Sequence, residues 1–285
     1  MIEKTLTRET IIKTLMNSLE PIEYVHAFWE GGAAAFDRID QFSDIDLYLV
    51  VDDNRIKDAF NEVEKSLKSM SPIKNKYEMQ LAVWPGVFQA FYKMENASKY
   101  LLIDLVVIKM SSQEKFLEPE IHGNVVFYFN KFNKIKIPHV NMKNFSEKLF
   151  QRLGRLQMRF DMFNIFVQKE IDRGNSLEAI DLYFDVTVSS LVEILRIKYF
   201  PLHHEFKMRY VNNELPADIV KKLEYLCFVR TMKDLQEKYG EATQWFIEET
   251  LHLTNYRYHC FWPKMGYEDA GKRRISKYDF KDSAS

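Results

Sequence analysis

Residues 29–53, WEGGAAAFDRIDQFSDIDLYLVVDD, decide how the chain is read. An apolar strand runs into Gly31-Gly32, three alanines follow, and after a polar stretch a second strand opens on Ser43-Asp44-Ile45-Asp46. In an extended strand residues i and i+2 project from one face. Asp44 and Asp46 therefore stand together beside Tyr48, while Ile45, Leu47 and Leu49 turn into a core. Two like charges that close call for a cation. Hard oxygen donors with open positions suit Mg²⁺, which keeps waters and substrate phosphates in its shell. Gly31 and Gly32 permit close backbone approach, and a helix beginning in residues 33–35 would aim free amides at an anion. The combination points to a pocket for a triphosphate.

Working outward, residues 8–20 place Ile11, Ile12, Leu15, Met16 and Leu19 at helical spacing, with Pro21 beyond the end. Runs at 23–29, 45–51, 77–84 and 101–108 are β-branched and aromatic and are bounded by Gly, Asp, Asn or Pro, which predicts strands. Residues 54–70 read as a helix through Ile56, Phe60, Val63 and Leu67. After Pro138 the apolar period changes to three and four across 142–200 and 215–258. Breaks at Gly174-Asn175, Pro201 and Asn212-Asn213 divide that half into four or five helices. The predicted fold class is α+β: a mixed β-sheet domain over 1–140, an all-α helical bundle over 141–262 and a polar tail over 263–285.

Composition narrows the partners. A chain of 285 residues that is 46% hydrophobic has the apolar surface for a substantial core, which excludes a disordered or collagen-like chain. Forty basic against 41 acidic residues give a net charge of −1, and the Lys272-Arg273-Arg274 cluster is too short for a polyanion, so no nucleic-acid partner is expected. Cys227 and Cys260 form neither a disulfide framework nor a zinc spacing, which fits a reducing cytoplasm. Charges at positions 3, 4, 8, 9 and 13 interrupt any export signal. The longest apolar stretch, 100–108, contains Asp104 and falls short of the roughly 20 residues a spanning helix needs, so no membrane association is expected.

Gly31-Gly32-Ala33 followed by Asp44-Ile45-Asp46-Leu47 resembles the signature of the polymerase-β-like nucleotidyltransferase superfamily, and Asp104 in YLLIDLVVIK matches its third, later carboxylate. The resemblance implies that Asp44, Asp46 and Asp104 hold Mg²⁺ on the phosphates of ATP or another nucleoside triphosphate. A hydroxyl of the acceptor then attacks the α-phosphate and pyrophosphate leaves. It also implies that Gly31, Gly32, Ala33 and Ser43 cradle the nucleotide and that Asp104 or a nearby acid takes the hydroxyl proton. The layout, a nucleotidyltransferase domain ahead of a helical bundle, is similar to the lincosamide and aminoglycoside antibiotic nucleotidyltransferases. That similarity spans 8–260 and implies a small hydroxyl-bearing acceptor, a role in antibiotic resistance, and a bundle that closes over the acceptor and is compatible with a homodimer. Two departures stand out: Ala33 occupies the family's serine position, and Phe36-Asp37 its frequent Arg-Gly pair. A hydrogen bond to a charged group is worth about 1.5–3 kcal/mol, so a non-catalytic nucleotide- or partner-binding module stays open beside the enzyme. Transfer of AMP to a protein hydroxyl is a third reading.

Further candidates are weaker. Glu78 and Gln80 share a predicted strand face and offer an acceptor contact, with Glu78 a candidate general base, or else form the polar side of a half-exposed strand. Asp181 and Asp185, at i and i+4, suit the ammonium groups of a cationic acceptor, or are surface charges. Arg152, Arg155 and Arg159 line one helix side, where a solvated face is the commoner role than a phosphate contact. His203 and His204 have no zinc-site spacing and read as loop or acceptor-side residues. The spacing of Arg196 to His203 loosely matches helical ribonucleases, but Pro201 breaks the helix between them.

Overall fold

The computed structural model describes residues 5–256. The predicted polar tail at 263–285, the Lys272-Arg273-Arg274 cluster and Cys260 lie outside the described residues. The chain divides into two compact units, the first ending at Val140 and the second beginning at Asn141. Its fold is α+β, a mixed sheet followed by helices.

In the first unit, Thr7 accepts a hydrogen bond from the Thr10 amide and so starts α1 (Arg8–Leu19), whose Ile11, Leu15 and Leu19 are buried. There follow β1 (Val25–Glu30), the single turn α2 (Gly32–Ala35), β2 (Ile45–Val51), α3 (Ile56–Met70), β3 (Ile73–Glu78), β4 (Val87–Met94), β5 (Ile103–Lys109), the turn α4 (Pro119–His122) and β6 (Val126–Asn130). The sheet order is β3-β4-β5-β2-β1-β6, with β2 and β5 parallel and the other neighbours antiparallel. Helices α1 and α3 cover one face through Ile11, Leu15, Phe60 and Val63 against Ile45, Leu47, Leu49, Leu105 and Tyr92. On the opposite face Leu117 and Ile135 pack over Trp29, Val50, Val106 and Ile108.

The sheet departs from the sequence reading at β4 and at β6. Residues 77–84 do not form the predicted strand. The chain is extended earlier, in β3, then leaves the sheet with Leu81 and Trp84 exposed. It reverses where the Val87 amide donates to Trp84 at 2.9 Å across Pro85-Gly86, Gly86 taking φ +80°. It returns as β4, which pairs along β5 and which the sequence reading did not assign. β6, on the β1 edge, was also unassigned. Cross-strand pairing, which a single run of sequence does not display, decides both.

The second unit comprises α5 (Met142–Phe163), α6 (Ile165–Arg173), α7 (Ser176–Leu182), a π-helical turn (Tyr183–Val188), α8 (Ser189–Tyr199), α9 (Val211–Glu214), α10 (Ala217–Cys227) and α11 (Met232–Tyr256). Gly174 caps α6 in the left-handed region at φ 76°. Leu149, Leu156, Phe160, Tyr183, Leu195 and Leu226 close a core with Trp245 and Phe246, Phe160 stacking on Phe246 at 3.8 Å. Arg196 of α8 is fully buried, pairs with Glu214 at 2.8 Å and donates to the carbonyls of Lys207 and Arg209. His203 meets the other Glu214 oxygen at 2.9 Å. The Arg196 and His203 pair is thus the bracket of the 201–215 connection. Among the described residues no helix is long and apolar enough to cross a membrane.

Candidate active site

Strand alternation puts Ile45, Leu47 and Leu49 in the core, fully buried, and leaves Asp46 and Tyr48 half-buried on the other face. Asp44 precedes the strand and is exposed. β5 runs parallel to β2 with Asp46 opposite Asp104 in register. Neighbouring strands lie about 4.8 Å apart, so in-register residues project side by side. The structure therefore sets Asp46 and Asp104 side by side, with Asp44 two residues ahead of Asp46 and outside the ladder.

The glycine pair is built around this face. The Gly31 amide donates to the Asp46 carbonyl at 2.9 Å, prolonging the β1–β2 ladder. That amide is thus engaged with the chain. Gly32 has φ +52°, and a Cβ there would meet Asp46 Oδ2 at 1.8 Å. A Cβ at Gly31 would meet the Tyr48 ring at 2.9 Å, and that ring stacks on Trp29 at 5.5 Å. α2 is one turn long and includes Ala33, whose carbonyl accepts from Arg38. Ser43 Oγ is committed locally: it accepts from the Asp40 amide and donates to the Asp40 carboxylate, both at 2.9 Å.

Three neighbours of the aspartates were not found in the sequence. Gln89 of β4 donates from Nε2 to both Asp104 oxygens, at 2.7 and 3.0 Å, and its signal was lost with β4. Arg8, the first residue of α1, pairs with Glu30 and donates to the carbonyls of Ser43 and Asp44. Glu30 is itself a signal in retrospect: a carboxylate, 3% exposed, ending a strand whose every residue is buried. Tyr128 of β6 donates to its second oxygen. Burial lifts the Glu30 carboxyl above its ordinary range, the bonds from Tyr128 and Arg8 oppose the rise, and the charge of Asp46 adds to it. Asp44 is lifted as well, chiefly by partial desolvation, against the Leu102 backbone and the charges of Arg8 and Lys93.

Glu78 is not brought to this group. It pairs in register with Ala90, on the face that α1 and α3 cover, and is bound to Lys76 at 2.6 Å. Asp104 pairs with Phe91, so it projects from the opposite face. Gln80 lies beyond the end of β3. In the second unit Asp181 is exposed, and Asp185 meets Arg159 at 3.2 Å. Arg152 grips Glu193 through two bonds of 2.5 and 2.8 Å, which leaves Arg155 as the exposed member of its row. Among the described residues the set whose ligand atoms converge within 4.8 Å is a different one, Glu114, Glu118 and His122. There Glu118 and His122 already form an i,i+4 pair at 3.8 Å and Glu114 is exposed, as in an ordinary charged surface.

No family model matches the sequence, and no curated protein matches it. Among solved structures, an aminoglycoside 6-adenyltransferase from Bacillus subtilis aligns with TM-score 0.31 and 14% identity over 88% of this chain and 97% of its own. A spectinomycin adenyltransferase from Enterococcus faecialis, solved with ATP and spectinomycin, aligns with TM-score 0.29 and 12% identity over 87% of this chain and all of its own (100%). Overlap that loose assigns no activity, and the chemistry rests on the residues of this sheet.

Proposed function

We propose that the chain is a Mg²⁺-dependent nucleotidyltransferase of the reducing cytoplasm. It moves a nucleoside monophosphate, in the first instance AMP from ATP, onto a hydroxyl of a small acceptor and releases pyrophosphate. The single observation that carries this reading is the register of Asp46 against Asp104 on adjacent parallel strands. Two in-register carboxylates with a third two residues ahead are hard oxygen donors that suit a magnesium ion, which keeps positions for phosphate and water. Asp44, Asp46 and Asp104 would hold it. When bound, the ion neutralises the phosphates and orients them for in-line displacement.

The chain's own groups account for the rest. Gln89 donates to both oxygens of Asp104 and so orients the carboxylate that would hold the metal and take the acceptor's hydroxyl proton. Gly32 supplies the space in which Asp46 sits. Lys93 is exposed, its charge favours an ionised Asp44, and it would offer a cation to a phosphate. The resemblance of the Gly-Gly and Asp-Ile-Asp pattern makes aminoglycosides and lincosamides the first acceptors to screen.

A second reading, nucleotide binding without turnover, is favoured by two specific features: Ala33 has no hydroxyl, and the Gly31 amide is spent on Asp46. Calorimetric titration of ATP with and without Mg²⁺, against the Asp44→Asn, Asp46→Asn double variant, separates the cases. Metal-dependent binding that vanishes in the variant supports the site, and pyrophosphate release with an acceptor, abolished by Asp46→Asn, supports transfer. Binding without release under any acceptor favours the second reading, and equal binding by the double variant rejects the site altogether.

A further inference from the structure

The guanidinium of Arg8 touches both ends of the connection that joins the glycine pair to the aspartates. Glu30, its ion-pair partner, is the last residue of β1 and directly precedes Gly31. The carbonyls of Ser43 and Asp44, its other partners, end the connection directly before β2. The intervening 31–44 segment holds one turn of helix, and its residues 39–42 are exposed. Asp44 lies outside the β2–β5 ladder, which starts at Ile45 opposite Ile103. Just ahead of the ladder the Ile45 amide donates to the Leu102 carbonyl at 2.9 Å, so the strand holds the Asp44–Ile45 peptide through its N–H while Arg8 holds it through the Asp44 carbonyl.

We propose that Arg8 is a positioning residue of the metal site: its guanidinium clamps the 31–44 connection at both ends and thereby sets where Asp44 presents its carboxylate relative to Asp46. The inference rests on the nucleotidyltransferase reading only for the purpose of the clamp, since the clamp is a property of the first unit itself. Several features equip Arg8 for it. Its side chain is 12% exposed, so water competes little for its donors. Its backbone is anchored, because Thr7 caps α1 and the Leu6 amide donates to the Asn96 carbonyl at 2.7 Å. Its planar fork reaches a carboxylate and two carbonyls at once, which the single ammonium of a lysine cannot reproduce. It also neutralises Glu30, whose buried charge would otherwise add to that of Asp46. A simple helix-anchoring salt bridge needs none of the contacts to Ser43 and Asp44.

The test compares the full-length wild type with Arg8→Lys by three readouts: thermal unfolding, amide hydrogen exchange, and Mn²⁺ affinity in the presence of ATP followed by electron paramagnetic resonance. Removing an outer partner of a metal ligand typically costs about 10–100-fold in metal affinity, and a loss in that range is expected in Arg8→Lys. Amides of 39–44 should exchange about tenfold faster while those of β2 and β5 remain protected. Exchange at 39–44 unchanged and Mn²⁺ affinity within about twofold of wild type would overturn the clamp even if stability fell, because an anchoring role alone moves only stability. A wild type that binds no Mn²⁺ with ATP defeats the nucleotidyltransferase reading, and the exchange arm then still decides the clamp. Should Arg8→Lys not fold, the Arg8→Met, Glu30→Gln pair removes the buried charge as well and carries the same comparison.

Discussion

At Gly32 a backbone angle and a carboxylate compete for the same space. Its φ of +52° strains any L side chain, and a Cβ would stand 1.8 Å from Asp46 Oδ2, so alanine must displace that carboxylate. Gly32→Ala is expected to cost about 1–3 kcal/mol of stability by urea unfolding and to weaken Mg²⁺-dependent ATP binding by more than about tenfold in calorimetry. Gly154 is the contrast: it sits inside α5 with nothing within 4 Å of its Cβ position, so Gly154→Ala should stabilise by about 0.5–1 kcal/mol and leave binding alone. Unaltered binding in Gly32→Ala would show that Asp46 need not occupy its present place. Residue by residue, the aspartates were legible because strand alternation is local, and Asp104 because a charge within an apolar run is conspicuous. Arg8 was not, since no periodicity links an arginine at the start of a helix to a glutamate 22 positions later.

Between elements, pairing and burial override local pattern. Residues 77–84 alternate well enough to read as a strand, yet the Pro85-Gly86 turn was the better signal, because it implies two strands on either side. Missing that hairpin hid β4 and with it Gln89. In the second unit the tie between α8 and the 201–215 connection is a buried charge network whose members are individually unremarkable in sequence. Burial works against ionising Glu214, but hydrogen bonds from His203 and Arg196 prevail and hold its carboxyl below the ordinary value of 4.5. A folded value below the unfolded one means that this stabilisation is complete above the unfolded value and is lost as pH falls through the folded one. Glu214→Gln should therefore lose about 3–5 kcal/mol near neutrality, where it leaves Arg196 buried and uncompensated. The deficit should narrow as pH falls below 4.5 and through the depressed folded value, where the wild-type carboxylate itself takes up a proton. Urea midpoints across that range measure it, and a deficit that is the same at every pH would remove Glu214 ionisation from the account.

For the whole molecule, each unit has its own core: the first buries Leu47, Leu105 and Phe28 under α1 and α3, the second Leu195, Tyr183 and Phe246 among its helices. The shift from alternating to helical period after Pro138 was visible in the sequence, whereas the reach of Arg8 to Asp44 within the first unit was not. Asp44, Asp46, Asp104, Gln89, Arg8 and Glu30 all belong to residues 1–140. A fragment of those residues should accordingly unfold cooperatively on its own, as domains of 100–150 residues commonly do. If the strands hold the metal and phosphates unaided, it should also bind Mn²⁺ with ATP within about tenfold of the full chain, a difference of about 1.4 kcal/mol. A folded fragment that loses binding by a much larger factor would assign nucleotide contacts to the second unit. Arg155, the exposed member of the α5 row, would then be the first residue to replace, because Arg152 is occupied by Glu193 and Arg159 by Asp185.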